Sequence, residues 1–303
     1  MASAANAPDR WQPPMPELAG ARHRMVPTGE VRLHVAELGD AGGPPLLLVH
    51  GWPQSWWCWR GVAPLLAADF RVVMADLRGH GWSDAPADDY EKERLAADMM
   101  GLLDALELDR VGYIGHDWGA FVGYLTAFAA PERIRALLTL SIPHPWPSRH
   151  DRLNPWRLAA FAYQLPLASP LGGAIARRKL TTRVLSAASA GSPFDERDLE
   201  VYESTMGSER GARATVAMYR TFVLRELVPI ALGRYAEARL EMPSRLLVGS
   251  RDPIIRGADL RGAGRNAPRL GIERVPGAAH FLPEERPELV AGRARELLAS
   301  APP

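Results

Sequence analysis

Short, predominantly apolar runs recur along the chain and limit its fold more than any other feature. They lie at 46–49, 71–75, 111–114, 136–140 and 246–248. Apolar runs of this length are typical of strands that are covered on both faces, as in a parallel sheet. An earlier stretch, 31–38, alternates apolar and polar residues and predicts a half-buried strand.

The segments between these runs have helical spacing. In one of them, apolar side chains recur every three or four residues and form one face of a helix: Leu95, Met99, Leu102, Leu103 and Leu106. Asp88 or Asp89 is expected to cap the start of this helix. Strands that alternate with helices predict the α/β class, with a mostly parallel central sheet flanked by helices. In such a sheet, catalytic residues lie at the carboxyl ends of the strands.

The alternation stops between 146 and 235. Prolines open this stretch, and helix-forming sequence with little strand character follows before a strand returns at Leu246. We therefore predict a core domain formed by 21–145 and 236–303, with a helical cap, 146–235, inserted between two late strands. The proline-containing residues 1–20 are expected to be a flexible lead-in.

The composition excludes several function classes. The 36 basic and 35 acidic residues leave a formal charge of +1, which predicts no nucleic-acid partner. The chain contains no apolar run of about 18 residues, so we expect no membrane insertion. The amino terminus lacks the apolar stretch of a secretory signal, and a cytoplasmic location is expected. The single cysteine, Cys58, excludes an internal disulfide and a Cys-ligated zinc site. We expect no metal or cofactor, and a monomer or homodimer.

The motif Gly-His-Asp-Trp-Gly at 115–119 carries the strongest chemical signal. It follows an apolar strand and precedes a helical run, 120–130. Glycines around a sharp strand-to-helix turn are typical of a nucleophile elbow, here with Asp117 in the nucleophile's position. A turn of this kind can also hold a phosphate, but the chain has neither a G-x-G-x-x-G motif nor a P-loop lysine. We expect the Trp118 N–H to lie near the nucleophile, at the positive end of a helix.

Other motifs lie at the ends of neighbouring strands. His-Gly-Trp-Pro at 50–53 occupies the place from which such a fold supplies a second oxyanion N–H, here that of Trp52. Asp252 follows the strand after the predicted cap, and His280 follows the last short strand. The chain order nucleophile, acid, histidine is that of an α/β-hydrolase triad.

Taken together, these motifs are similar to those of the epoxide hydrolases with the α/β-hydrolase fold, over 25–298. The segments that carry the resemblance are HGWP, DLRGHGWSD, GHDWGA, GSRDP and GAAHF. The resemblance implies that Asp117 is the nucleophile and that two cap tyrosines protonate the epoxide oxygen. Tyr163 and Tyr219 lie in segments that resemble those carrying the two tyrosines. We expect Trp52, Trp118 and Phe281 to line the substrate pocket.

The chemistry of these residues agrees with the resemblance. A carboxylate is ionised at neutral pH, so Asp117 needs no base before it attacks an epoxide carbon. A phenol with a pKa near 10 can protonate the oxygen that leaves. His280, oriented by Asp252, would then activate the water that hydrolyses the ester, and the N–H groups of Trp52 and Trp118 would stabilise the oxyanion. The partners are a small-molecule epoxide and water, and the product is a vicinal diol.

Two other functions are open at this point. A haloalkane or haloacid dehalogenase uses the same triad, but its halide leaves as an anion and needs N–H donors rather than an acid. The indole of Trp118 offers one such donor. A dehalogenase usually pairs this Trp with an Asn after His-Gly or with a second cap Trp. Position 52 is Trp rather than Asn, and tyrosines lie in the cap segments, which favours the epoxide. The second alternative is a non-catalytic ligand-binding protein of the same fold, although every expected catalytic position is filled.

Overall fold

A computed structural model describes residues 13–146, 164–255 and 260–301. Within them, eight strands form one sheet in the order β1-β2-β4-β3-β5-β6-β7-β8. Strand β2 pairs antiparallel with β1 and β4, whereas every other neighbouring pair is parallel. The sheet is thus mostly parallel, as predicted. The strands are β1 (Arg22–Pro27), β2 (Arg32–Leu38), β3 (Pro45–Val49), β4 (Arg71–Ala75), β5 (Val111–His116), β6 (Ile134–Leu140), β7 (Ser244–Gly249) and β8 (Leu270–Val275).

Helices cover both faces of this sheet. Alternate strand residues point to opposite sides, so Leu47 packs in one apolar cluster and Leu48 in another. The first cluster includes residues of α2 and α3, and the second includes residues of α1 and α11. The described α-helices are α1 (Ala63–Leu66), α2 (Lys92–Ala105), α3 (Trp118–Ala129), α4 (Leu165–Ala168), α5 (Gly172–Ala176), α6 (Leu180–Ala187), α7 (Glu196–Met206), α8 (Glu209–Thr221), α9 (Leu227–Ala231), α10 (Leu282–Glu285) and α11 (Pro287–Ala299).

The five apolar runs all lie in strands, β3 to β7, and the alternating stretch lies in β2. The expected cap of α2 was wrong. This helix begins at Lys92 with Glu91 as N-cap residue, and the Glu91 side chain makes no capping hydrogen bond. The N–H of Lys92 donates instead to Glu226 Oε1 at 2.7 Å. Asp89 lies in a turn before the helix with a φ of 67°. Strand β1 was not anticipated, because five of its six residues are exposed and leave no apolar pattern.

Helices α4 to α9 lie between β6 and β7, and we call this segment the helical insertion. A π-helical turn, Phe222–Glu226, continues α8 into α9. The predicted domain boundaries at 146 and 235 remain a prediction. In the three described ranges, no helix is both long and apolar enough to cross a membrane.

Candidate active site

Asp117 lies in a strained turn at the end of β5. Its backbone has φ 50° and ψ −122°, between the last strand residue, His116, and the first helical residue, Trp118. A non-glycine residue adopts such angles only where the surrounding structure enforces them. Here α3 starts directly against β3, because a Cβ atom at Gly119 would lie only 2.3 Å from the carbonyl oxygens of Val49 and His50. The turn therefore presents the Asp117 carboxylate at the carboxyl edge of the sheet, as a nucleophile elbow does.

His280 lies between two carboxylates. Its Nε2 is 3.6 Å from Asp117 Oδ2, and its Nδ1 is 3.0 Å from Asp252 Oδ2. Asp252 Oδ1 accepts hydrogen bonds from the N–H groups of Ile254 and Ile255, at 2.8 and 3.0 Å. The carboxylate of Asp252 is fully buried, whereas that of Asp117 is 15% exposed. The orienting acid is therefore enclosed, and the expected nucleophile is accessible.

The two carboxylates determine the charge of His280. Burial by itself lowers the pKa of this histidine, but the charge of Asp252, its hydrogen bond and the neighbouring Asp117 carboxylate outweigh it and raise the pKa to about 10. Burial opposes ionisation of Asp252, yet the charge of His280 and its hydrogen bond lower the pKa of this carboxyl group. Before any reaction, His280 is therefore an imidazolium between two carboxylates at neutral pH.

The backbone N–H groups of Trp52 and Trp118 are the two predicted oxyanion donors. That of Trp52 donates to Asp117 Oδ1 at 2.9 Å. The loop can approach this closely because residue 51 is glycine; a Cβ atom there would lie 2.3 Å from the same oxygen. Trp118 is the first residue of α3, so its N–H has no acceptor within the helix. The Trp52 contact is the one expected of an oxyanion donor, and the role of the Trp118 N–H stays a prediction.

Tyr219 lies on α8, and its ring is close to those of Trp52 and Trp118. Its ring centroid is 5.2 Å from that of Trp52 and 6.4 Å from that of Trp118. The side chain is almost fully buried, with 1% of its surface exposed. The structure thus brings together six predicted site residues: Asp117, Asp252, His280, Trp52, Trp118 and Tyr219. Tyr163 lies outside the described residues, and its role stays a prediction.

Phe281 is fully buried next to the histidine. Its ring centroid lies 5.1 Å from that of His280 and 5.8 Å from that of Phe194, within the second apolar cluster. Its expected place in the pocket remains a prediction. His116 lies on another side of His280, where its Nε2 donates to the His280 carbonyl oxygen at 2.9 Å. Burial lowers the pKa of His116 to about 4, so this ring is neutral.

Comparisons with known proteins agree on the family. The model of the alpha/beta hydrolase fold family matches residues 44–287. The soluble epoxide hydrolase of Corynebacterium sp. (strain C12) is 30% identical over 301 residues, which cover 91% of this chain and 97% of that protein. The chain belongs to the epoxide hydrolases of the α/β-hydrolase fold.

Other relatives support this assignment. Epoxide hydrolase 4 of Mus musculus is 38% identical over 132 residues, which cover 43% of this chain and 37% of that protein. The structure of epoxide hydrolase A from Mycobacterium thermoresistibile superposes with a TM-score of 0.80 at 26% identity, over 93% of this chain and 99% of that one.

Two residues that support the site in this epoxide hydrolase had not been expected. Glu285 accepts hydrogen bonds from the N–H groups of Ala279 and Phe281, at 2.6 and 3.1 Å, and so fixes the loop on both sides of His280. Glu284 accepts a hydrogen bond of 2.5 Å from the hydroxyl of Tyr202 on α7. Burial raises the pKa of Glu284 to about 7. Their only sequence signal is an acidic pair shortly after the histidine.

Lys92 is a buried cation next to the site. Its Nζ lies 2.8 Å from Glu226 Oε2 and 4.6 Å from the centroid of the Trp118 ring. Neither Lys92 nor Glu226 is more than 2% exposed. The contact connects the first turn of α2 with the π-helical turn of the helical insertion. At the sequence level, a lysine near the start of a helix gives no sign of burial.

Proposed function

We propose that this enzyme adds water to an epoxide and forms a vicinal diol through an ester on Asp117. The observation that carries the proposal is the position of His280. Its Nε2 lies 3.6 Å from the Asp117 carboxylate while its Nδ1 is held by Asp252. This arrangement suits a carboxylate nucleophile whose ester is hydrolysed by a base beside it, and no serine nucleophile is needed.

The first half of the reaction opens the epoxide. A carboxylate oxygen of Asp117 forms a bond to one ring carbon, the carbon–oxygen bond of the epoxide breaks, and its electron pair moves to the leaving oxygen. We assign the protonation of that oxygen to Tyr219, together with Tyr163 from the proposed cap, 146–235. General acid catalysis of this kind contributes roughly 10²–10⁴-fold. The aromatic rings of Trp52, Trp118 and Tyr219 favour a neutral, apolar substrate.

The second half hydrolyses the ester. Esterification removes the charge of Asp117, which is one of the groups that raise the pKa of His280. The imidazolium then loses its proton more readily. This proton returns through solvent to the tyrosinate that ring opening leaves, and the neutral ring becomes the base. It takes a proton from water, the hydroxide adds to the ester carbon, and the N–H groups of Trp52 and Trp118 stabilise the oxyanion. One such donor contributes roughly 3 kcal/mol. Collapse of the intermediate expels the diol oxygen, which takes the proton of the newly formed carboxyl group, so that the diol leaves and the Asp117 carboxylate is restored.

The dehalogenase alternative is less consistent with the contacts of Trp52. Halide departure needs N–H donors, and the indole N–H of Trp118 is one candidate. The indole N–H of Trp52, however, donates to the hydroxyl of Thr215 at 3.1 Å. Trp52 therefore cannot offer its indole N–H to a halide without losing this hydrogen bond. The binding-protein alternative gives no reason for the contacts of His280 with Asp117 and Asp252.

Product analysis tests the proposal. The purified protein is incubated with a panel of neutral epoxides and haloalkanes, with Asp117→Asn as the control variant. We expect diol formation that is lost in the variant. Halide release without diol would move the assignment to the dehalogenases, and diol formation by Asp117→Asn would refute the nucleophile.

A further inference from the structure

Trp52 connects the nucleophile with the helix that carries Tyr219. Its backbone N–H donates to Asp117 Oδ1 at 2.9 Å, and its indole N–H donates to Thr215 Oγ1 at 3.1 Å. Thr215 and Tyr219 are four residues apart on α8 and therefore share one face of the helix. The edge of one ring meets the face of the other, because the Trp52 and Tyr219 rings are 5.2 Å apart at 81°. One residue thus contacts the nucleophile through its backbone and the helix of Tyr219 through its side chain.

This connection is shielded from solvent. Thr215 and Tyr219 are each 1% exposed, and Trp52 is 6% exposed. A buried indole N–H that loses its acceptor is costly, because no water replaces the lost bond. The hydrogen bond therefore favours one position of α8 relative to the loop at 50–53.

The backbone of Trp52 is fixed independently of its indole. In the same loop, His50 Nδ1 donates to the Gly51 carbonyl oxygen at 2.9 Å, and His50 Nε2 accepts from the Leu77 N–H at 3.1 Å. Burial lowers the pKa of His50, in agreement with a neutral ring that uses one nitrogen as donor and the other as acceptor. Loss of the indole bond is therefore expected to release α8 and leave the oxyanion donor of Trp52 in place.

We propose that the hydrogen bond from the Trp52 indole to Thr215 positions Tyr219 for opening of the epoxide ring. The inference rests on the proposed function. Trp52 and Thr215 are positioning residues in this respect, because they act through the tyrosine. Ring opening needs the phenol at the leaving oxygen, whereas ester hydrolysis needs His280 and the oxyanion donors. The bond should consequently affect the first half of the reaction and spare the second.

The test measures the two halves separately in the full-length protein. Mixing with excess styrene oxide and quenching at successive times gives the rate of ester formation from the intact mass. Transfer of the ester form to substrate-free buffer gives its rate of hydrolysis. We expect Thr215→Val to slow ester formation at least about tenfold, within the roughly hundredfold that a displacement of about 1 Å can cost. Hydrolysis should stay within about twofold of the parent protein.

Four variants serve as controls. Thr215→Ser retains the hydroxyl and should restore the rate. Thr205→Val removes another buried hydroxyl of the helical insertion, which bonds to carbonyl oxygens of its own helix, and should change neither rate. Trp52→Phe deletes the same bond from the other side, and the double variant with Thr215→Val should fall no further than Trp52→Phe alone.

The outcomes separate the inference from the proposed function. Equal slowing of both halves by Thr215→Val, an unchanged rate of ester formation, or no recovery with Thr215→Ser would overturn the inference. Additive losses in the double variant would also overturn it. Failure of the proposed function would look different, because the parent protein itself would then form no ester with any epoxide.

Discussion

The most informative perturbation is Asp252→Asn, because the structure determines how the new amide must point. The aspartate accepts one hydrogen bond from His280 Nδ1 and two from the N–H groups of Ile254 and Ile255. An asparagine has only one acceptor oxygen. If this oxygen faced His280, both backbone N–H groups would oppose the amide donors, and each buried donor left unpaired costs roughly 1–3 kcal/mol. The oxygen will therefore stay with the backbone.

In that orientation the NH₂ group of the substituted amide faces His280. The imidazole must then accept at Nδ1 and carry its proton on Nε2, which faces Asp117. This tautomer cannot take a proton from water, and a wrong tautomer in a comparable triad costs roughly 10⁴-fold. We expect ester hydrolysis to slow by about this factor, whereas ester formation continues. The pKa of His280 should fall below about 10, because the charge of Asp252 is the largest of the contributions that raise it.

The assay combines rapid quenching with intact mass spectrometry, and NMR titration of the histidine ring gives its pKa. The ester form should accumulate to nearly the full enzyme concentration. Asp98→Asn is the matched control, since it removes another buried carboxylate, one that lies on α2 and pairs with Arg78. Hydrolysis by Asp252→Asn within tenfold of the parent protein would refute the assignment of Asp252.

Three further outcomes follow from the same geometry. Tyr219→Phe should slow ester formation by roughly 10²–10⁴-fold and leave ester hydrolysis unchanged, in the rapid-quench assay; an unchanged rate of ester formation would refute its role. The raised pKa of His280 stabilises the fold fully below its unfolded value of 6.5, and this contribution is lost as the pH rises through about 10. Urea unfolding at several pH values should reveal this loss, and His280→Ala should remove it. Lys92→Met should lower the free energy of unfolding by about 3–5 kcal/mol, because it leaves the Glu226 carboxylate buried without its cation. Combining Lys92→Met with Glu226→Leu should recover much of this loss. If Lys92→Met alone were as stable as the parent protein, that result would contradict the burial of the pair.

The sequence was informative wherever a residue's role depends on its position along a strand. Apolar runs predicted β3 to β7, two of which are followed by Asp117 and Asp252, and His280 was expected after a further short strand. Strand β1 escaped this reasoning, because an edge strand with exposed side chains has no apolar pattern.

Contacts made when the helical insertion packs on the core were not predictable in the same way. Trp52 and Thr215 are 163 residues apart, and nothing local to either residue indicates the other. Lys92 and Glu226, 134 residues apart, form a buried pair that is equally invisible in the sequence. Such pairs depend on how two amphipathic surfaces meet, which periodicity within each segment does not determine.

The central claim is that the oxygen added to the substrate comes first from Asp117. A single turnover in water labelled with the heavy oxygen isotope tests it directly, with enzyme in excess over a neutral epoxide. We predict that the label appears in the carboxyl group of Asp117, in the peptide isolated after proteolysis, and that the first diol formed is unlabelled. Label in the diol of that first turnover, with none in Asp117, would contradict the ester mechanism.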